Sequence, residues 1–427
     1  MKKIIYVLVI TLVCLLCSCG KDAKDNTPIL NENGKEEIVL CVPLASAYMK
    51  NAVVNYNKQS DKYEIVMLVC PDDVSVFDFR RNIQLELSNG GGPDILYDTS
   101  FTDLNMFPYA EDGYLMDVTD FLNKQTDIIE VAKRYTEIDD RIYAVPINMA
   151  ISTVCVLDRY AIEQKDNTLE YWMKLTEETN SVFGNSGVYL LKLFGVGVDG
   201  IQLFVDEENG VSNFEQIEFV ELLEFSKKHQ YVDTGETKTE RIASGKQIFW
   251  EAGIRTFSQF WFLESAFKEV PSYIGYPTDE GGQHTLLCYS YAINNASKHK
   301  EGALDFLNFL LSDEQQRLSF KEGEGFPVRN SILTKVWDEA LQEPYKEDEN
   351  AIGYSKFDIY YEPREMKKEE ETIFWEMLNN PLYEYYCNPI RDIVEEETKP
   401  FFDGDKTAEE VAKIIDNRVQ LYLDETK

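Results

Sequence analysis

The sequence predicts an α/β fold built as two lobes, and three observations carry that expectation. From about Ile38 onward, strand-like and helix-like segments alternate, the pattern of parallel α/β layers. About 390 residues follow Ile38, more than a single core normally organises. Nothing in that stretch is apolar for long enough to span a bilayer core, which needs about 20 residues.

The first segment stands apart from that fold. Lys2 and Lys3 precede an apolar run of 13 residues, Ile4 to Leu16, which has the length of a signal h-region and is too short for a transmembrane helix. Leu16-Cys17-Ser18-Cys19 then resembles the bacterial lipobox, so residues 1–18 read as a lipoprotein signal peptide and Cys19 as the acylated first residue of the mature chain. Residues 19–35 are polar, carry Pro and Gly and lack periodicity, which describes a flexible tether. The expected location is the extracytoplasmic face of the cell membrane, held by lipid.

In the folded part, Ile38 to Val42 reads as a strand, Lys50 to Lys58 as a helix and Tyr63 to Val69 as a second strand, together a βαβ unit. Arg80 to Leu87 reads as helix and is stopped by Gly90-Gly91-Gly92-Pro93, after which Asp94 to Tyr97 restarts a strand. Tyr143 to Ile147 is a later strand. Ala303, Phe306, Leu307, Leu310 and Leu311 share one helical face, and Ser312 with Gln315 has capping-box spacing for the next helix. Thr407 with Glu410 is another such box, followed by Val411, Ile415, Val419 and Tyr422 at helical spacing. The acidic runs Lys367 to Glu371 and Glu395 to Glu397 read as solvated helix faces.

Composition excludes several function classes. The net charge of −34, which becomes −36 once Lys2 and Lys3 leave with the signal, repels phosphate backbones, so no nucleic-acid partner is expected. Of eight cysteines, Cys41, Cys70, Cys155, Cys288 and Cys387 remain in the folded part, an odd and scattered set that is no disulfide framework. Cys41 and Cys70 end neighbouring strands, where a pair and two free thiols are both open. With three histidines and no Cys or His pair at zinc spacing, neither a metal nor another cofactor is expected. Gly195 to Gly200 matches GxGxxG, but Gly210 and Asn213 interrupt the helix that a dinucleotide site needs. No GxSxG elbow or HExxH is present, and no catalytic residue is nominated.

The order of motifs resembles the extracellular solute-binding proteins of sugar-type ABC importers, the broad family that includes maltose-binding protein. The segments that carry it are AVVNYNKQSDKYEIVML, GGGPDIL, DGYLMDVTDFL, DDRIYAVPINMAISTVCVL, GKQIFWEAG, VPSYIGYPTDEGGQ, YSYAINNASKHKEGALDFLNFLLSDEQQ and GFPVRN, spread from about Glu37 to Lys427. The resemblance implies a periplasmic-binding-protein-like (Venus-flytrap) fold of class II type, with an N-terminal lobe of residues 36–148 plus 292–355 and a C-terminal lobe of residues 149–291 plus 356–427. Chain crossings would fall near Asn148, Tyr291 and residue 355. It further implies a small-molecule ligand, a mono- or oligosaccharide, held between the lobes of a monomer and delivered to ABC permease subunits.

In open parallel sheets, ligands bind beyond the carboxyl ends of the strands. Ser46 and Tyr48 follow the first strand, Tyr97 and Asp98 end the third, and Asn148 ends the Tyr143–Ile147 strand at a crossing. Ser46 and Asp98 serve equally well as helix caps. Aromatic residues make up 13% of the chain and suit the apolar C–H faces of sugars, although core packing is the default for most of them. Trp250 lies in an aromatic-rich stretch, and Arg255 stands where the family commonly has an aromatic, a departure that loosens any transfer of ligand identity. Tyr289 and Tyr386 complete the candidates. A surface-anchored carbohydrate hydrolase and a sensor that presents its ligand to a membrane receptor kinase are the alternative functions.

Overall fold

The computed structural model describes residues 30–98, 106–182, 186, 187, 191, 204–206, 209–278, 281–346, 354–356, 359–379, 381–383 and 389–426. The signal peptide, Cys19, the GxGxxG match, Tyr386 and Cys387 lie outside them.

The expected βαβ unit opens the fold. Strand β1 (Glu36–Cys41), helix α1 (Ala47–Gln59) and strand β2 (Tyr63–Leu68) follow one another, and β1 pairs in parallel with β2 from Glu36↔Tyr63 to Cys41↔Leu68. Helix α2 (Val76–Ser88) begins four residues before the expected start, because the Ser75 side chain accepts from the Asp78 backbone N–H at 3.0 Å and caps it there. It ends at Gly90, which takes φ +75°. Strand β3 (Ile95–Asp98) then returns parallel to β1 on its other side.

Strand β4 (Ala144–Val156) departs from the expected Tyr143–Ile147 segment: it has 13 residues and runs on well past Asn148. All but Ser152 are buried, so neither face shows the polar alternation that marks a strand in sequence. Strand β5 (Trp250–Ile254) lies antiparallel against the far half of β4, and helix α3 (Ser258–Phe267) follows it. Strand β6 (Ser272–Tyr273) pairs with the last residues of β4. Strand β7 (Thr285–Ile293) runs antiparallel along most of β4, from Thr285↔Ser152 to Ala292↔Ala144, with a bulge at Tyr289/Ser290.

Helices α4 (Lys300–Leu310) and α5 (Asp313–Lys321) lead to strand β8 (Phe326–Pro327), which adds to β4 opposite Asn148 and Met149. Helices α6 (Asn330–Ala340) and α7 (Lys368–Met377), strand β9 (Leu382–Tyr383) beside β7, and helices α8 (Pro389–Asp403) and α9 (Ala408–Thr426) complete the chain. The sheet order is β6-β4-β7-β3-β1-β2, with β5 and β8 attached to β4 and β9 to β7. Strands β4 and β7 thus carry the chain from the β1–β3 side to the β5–β6 side.

Packing follows this division. The α4 face, with Ala303, Phe306, Leu307 and Leu310 buried as expected, packs on β1 and α1, and Tyr56 of α1 meets Phe306 at 5.1 Å. Val154, Val156, Trp172, Phe219 and Leu222 form a separate core with Val411, Ile415 and Val419 of α9. Beneath the crossing strands, Phe257 touches Phe320, Phe326, Trp337 and Tyr345 edge-on at centroid distances of 4.6–5.6 Å. The Thr407–Glu410 box is formed in both directions, whereas at α5 the Ser312 side chain accepts from the Gln315 N–H.

One sequence expectation is corrected. The Lys367–Glu371 run is not simply a solvated face, since Glu370 and Glu371 are buried. Arg364 explains Glu370, because its guanidinium bridges that carboxylate and Glu264 of α3, and a buried charge persists when it is paired. Cys41 and Cys70 are free thiols, and burial, with Glu86 and Cys70 nearby, pushes the Cys41 thiol up to about 12. Among the described residues no helix is long and apolar enough to cross a membrane, and no group of His, Cys, Asp and Glu is arranged to hold a metal.

Candidate ligand-binding site

Strands β4, β7 and β8 meet around Asn148. Asn148 is buried opposite Tyr289 of β7 and Pro327 of β8. Its amide donates to the Ser319 hydroxyl of α5 and, at 3.5 Å, reaches the Gly325 carbonyl. That approach needs a glycine: Gly325 has φ +141°, and a Cβ there would stand 2.9 Å from the Met149 carbonyl oxygen. Arg255 follows β5 immediately and sets its guanidinium 4.9 Å from the centre of the Tyr289 ring.

The strand ends of the first layer reach the same place. Tyr97 of β3 lies opposite Tyr291 of β7, and the rings stack at 4.5 Å. Ser46 does cap α1, accepting from the Met49 N–H at 3.1 Å. Its hydroxyl also lies close enough to Glu324 to favour the charged form of that carboxyl. Tyr48 is buried behind it, its hydroxyl 3.4 Å from the Gln315 carbonyl.

Glu324 was missed in the sequence. It sits on the α5–β8 turn, half-buried, directly before Gly325. Burial raises its carboxyl above the usual range, while the Ser46 hydroxyl and the Arg255 charge pull it back down. Burial and the same carboxylate push the Tyr48 hydroxyl well above its ordinary value. The available signal was a carboxylate between two glycines at the mouth of the GFPVRN segment, where a polar side chain has no core to serve.

Ser46, Tyr48 and Arg255 thus act on one carboxylate, while Asn148 pairs with Tyr289 beneath Arg255 and Tyr97 stacks on Tyr291 of the same strand. The structure does not bring Trp250 there. Trp250 opens β5, roughly 17 Å along the strand from Arg255 at the usual rise per residue. Its buried ring packs on Phe262 at 5.8 Å and Phe267 at 5.7 Å, with the Lys238 ammonium 4.1 Å from its centre. Burial lowers Lys238 to about 8, a shift that Glu251 partly opposes. In this conformation Trp250 is a packing residue. Asp98 occupies the end of β3 opposite Ser290, with its side chain outside the described atoms, as is all of Tyr386. A separate hollow of about 1020 Å³ opens between α5 and α6, and none of the nominated residues lines it.

The combination is chemically specific. Hydroxyls, one amide, two stacked rings, a guanidinium and a carboxylate lie near the strand crossing, and no group of His, Cys, Asp and Glu among the described residues is arranged to hold a metal. A sequence model for the bacterial extracellular solute-binding protein family matches residues 71–317, more than half of the chain. The chain belongs to that family.

Solved structures agree on the fold of this family member. An ABC substrate-binding protein of Listeria monocytogenes, in complex with cycloalternan, superposes with a TM-score of 0.58 at 16% identity, over 91% of this chain and 99% of that one. A maltose-bound MalE3 of T. maritima gives 0.56 at 16% identity, over 90% and 99%. The sugar-binding MalE of Xanthomonas citri gives 0.59 at 13% identity, over 91% and 98%. At these identities the likeness shows the two-lobed α/β periplasmic-binding fold.

Proposed function

We propose that this solute-binding protein captures a carbohydrate at the junction of its lobes and delivers it unchanged to ABC permease subunits. The observation that carries the reading is the meeting of Asn148, Tyr289 and Arg255 where β4 and β7 pair, with Tyr97 stacked on Tyr291 of the same strand. Sugars present apolar C–H faces and hydroxyls that both donate and accept, and this cluster offers rings and polar partners for both. Proteins of the same fold were solved with cycloalternan and with maltose, which supports the ligand class. The lobes would be residues 36–148 plus 292–355 and residues 149–291 plus 356–427. Tyr48 would contribute from behind Ser46, and Asp98 and Tyr386 remain part of the proposed lining.

The mechanism is population shift. A ligand that touches both lobes only when they are closed favours closure by that difference in affinity alone. Small-angle scattering on the full chain should show a smaller radius of gyration when a bound saccharide is present, and chromatography should recover the saccharide intact. Steady product formation would replace this reading with the hydrolase. Neighbouring genes for a kinase pair in place of two permeases would favour the ligand-presenting sensor.

The protein would work from the membrane surface, anchored through Cys19. Two or more acyl chains hold a protein stably, where one gives only marginal binding. Cys19→Ala should therefore move the protein from the membrane fraction to the soluble fraction and abolish incorporation of labelled fatty acid. Label retained by that variant would refute the anchor.

A further inference from the structure

Past the crossing, polar residues continue along the face that β4 and β5 share. Ser152 of β4 lies directly opposite Gly253 of β5, and Val154 lies opposite Glu251. Side chains alternate along a strand, so Glu251, Gly253 and Arg255 fall on the same face as Ser152. The position of Arg255 agrees, since its guanidinium lies over Tyr289, which opposes Asn148, two same-face steps from Ser152 on β4. From Glu251 to Arg255 the face runs roughly 13 Å at the usual rise per residue.

Gly253 is exposed, takes no positive φ, and a Cβ there would meet nothing within 4 Å among the described residues. A glycine inside a strand weakens it, and where the backbone does not require one it marks a place that another group approaches closely. Beside this opening the hydroxyls form a chain. Tyr276 donates to the Glu251 carboxylate at 2.8 Å, and the Ser152 hydroxyl stands 3.0 Å from that of Tyr276. A phenol has one proton. With that proton on Glu251, Tyr276 accepts from Ser152, and Ser152 has only lone pairs for a further partner. Ser152 is also the one residue of β4 that is not buried.

We propose that Ser152, beside the Gly253 opening, is a second contact point for the bound saccharide, where it accepts a hydrogen bond from a ligand hydroxyl, and that the ligand is an oligosaccharide long enough to lie along the face from Arg255 to Ser152. This rests on the carbohydrate reading above and narrows it. Tyr276 and Glu251 are positioning residues, which hold the Ser152 proton away from the ligand. A sugar hydroxyl can donate and so fits a serine that only accepts, whereas an ether or carboxylate oxygen would set lone pair against lone pair. A single sugar ring is shorter than the face and reaches one end of it.

The test is calorimetry on the detergent-solubilised full chain, with glucose, maltotriose, cellotriose, xylose and xylotriose as probes. The wild-type protein should bind at least one trisaccharide at least tenfold more tightly than its monosaccharide. Ser152→Ala should weaken that trisaccharide by about tenfold, the usual effect of losing one hydrogen bond in a partly buried site. Gly253→Val places a strand-compatible side chain in the open space and should weaken it at least tenfold with the melting temperature kept. Monodeoxyfluoro derivatives of the same trisaccharide remove one proton at a time at nearly constant size. At one position fluorine should cost at least tenfold in the wild type and under threefold in Ser152→Ala. In Tyr276→Phe, where Ser152 regains its proton, that cost should shrink at least threefold, which a purely structural role for Tyr276 would not produce. Equal affinity for monosaccharide and trisaccharide, a change under threefold in Ser152→Ala or Gly253→Val, or the absence of such a fluorine-sensitive position overturns the proposal and leaves the carbohydrate reading standing. Failure of every saccharide to bind the wild type removes the carbohydrate reading and this proposal together.

Discussion

Phe257→Ala should lower the free energy of unfolding by about 3–5 kcal/mol, the usual cost of emptying a buried phenylalanine site. The ring is fully buried and has four aromatic partners, drawn from α5, β8, α6 and the segment after α6. These partners are themselves packed, with Phe374 at 4.6 Å from Phe326 and 5.2 Å from Trp337, so little of the neighbourhood can collapse into the hole. The cost therefore belongs at the upper end of that range. Denaturant titration is the measurement, with the midpoint falling and the slope unchanged. A loss under about 1 kcal/mol, below the known range for such truncations, would mean that this cluster does not hold the chain together beneath the crossing strands.

Two residues earlier the same segment should behave in the opposite way. Arg255→Ala should weaken binding of a neutral trisaccharide by about 10- to 100-fold and leave the unfolding midpoint nearly unchanged. Arg255 is only partly buried, so its removal opens no core cavity. A hydrogen bond from a charged donor contributes roughly 1.5–3 kcal/mol, which corresponds to that change in affinity. Calorimetric titration with thermal unfolding as the control reads both quantities. Unchanged affinity beside a lowered melting temperature would make Arg255 a structural residue held by Tyr289, and the ligand would lie elsewhere on this lobe.

The contrast between Phe257 and Arg255 shows why the sequence could be read only so far. Both stand in one aromatic-rich stretch, from which sequence alone nominated Trp250 and Arg255 alike. The strand register separates them: Trp250 pairs with Cys155 at the outer end of β5, while Arg255 lies just past Ile254, which pairs with Ile151 near the crossing. Position along a strand is a tertiary fact, because it depends on which strand the segment joins and where. Glu324 was invisible for the same reason. It is one of 76 acidic residues, and only its partial burial, with Ser46 and Arg255 acting on it, distinguishes it.

What the sequence determined by itself was what local chemistry fixes. The βαβ opening, the α4 face, the Thr407–Glu410 cap and the expectation of a two-lobed α/β fold follow from periodicity, capping residues, glycine turns and the order of motifs, all of which act within a few turns of chain. Tertiary structure alone decided the full length of β4, the pairing of Glu370 with Arg364, and the company kept by Glu324. Each depends on residues 6 to more than 200 positions away meeting in space. A strand buried on both faces loses its alternating signature, and a carboxylate acquires unusual chemistry only when distant segments exclude water from it.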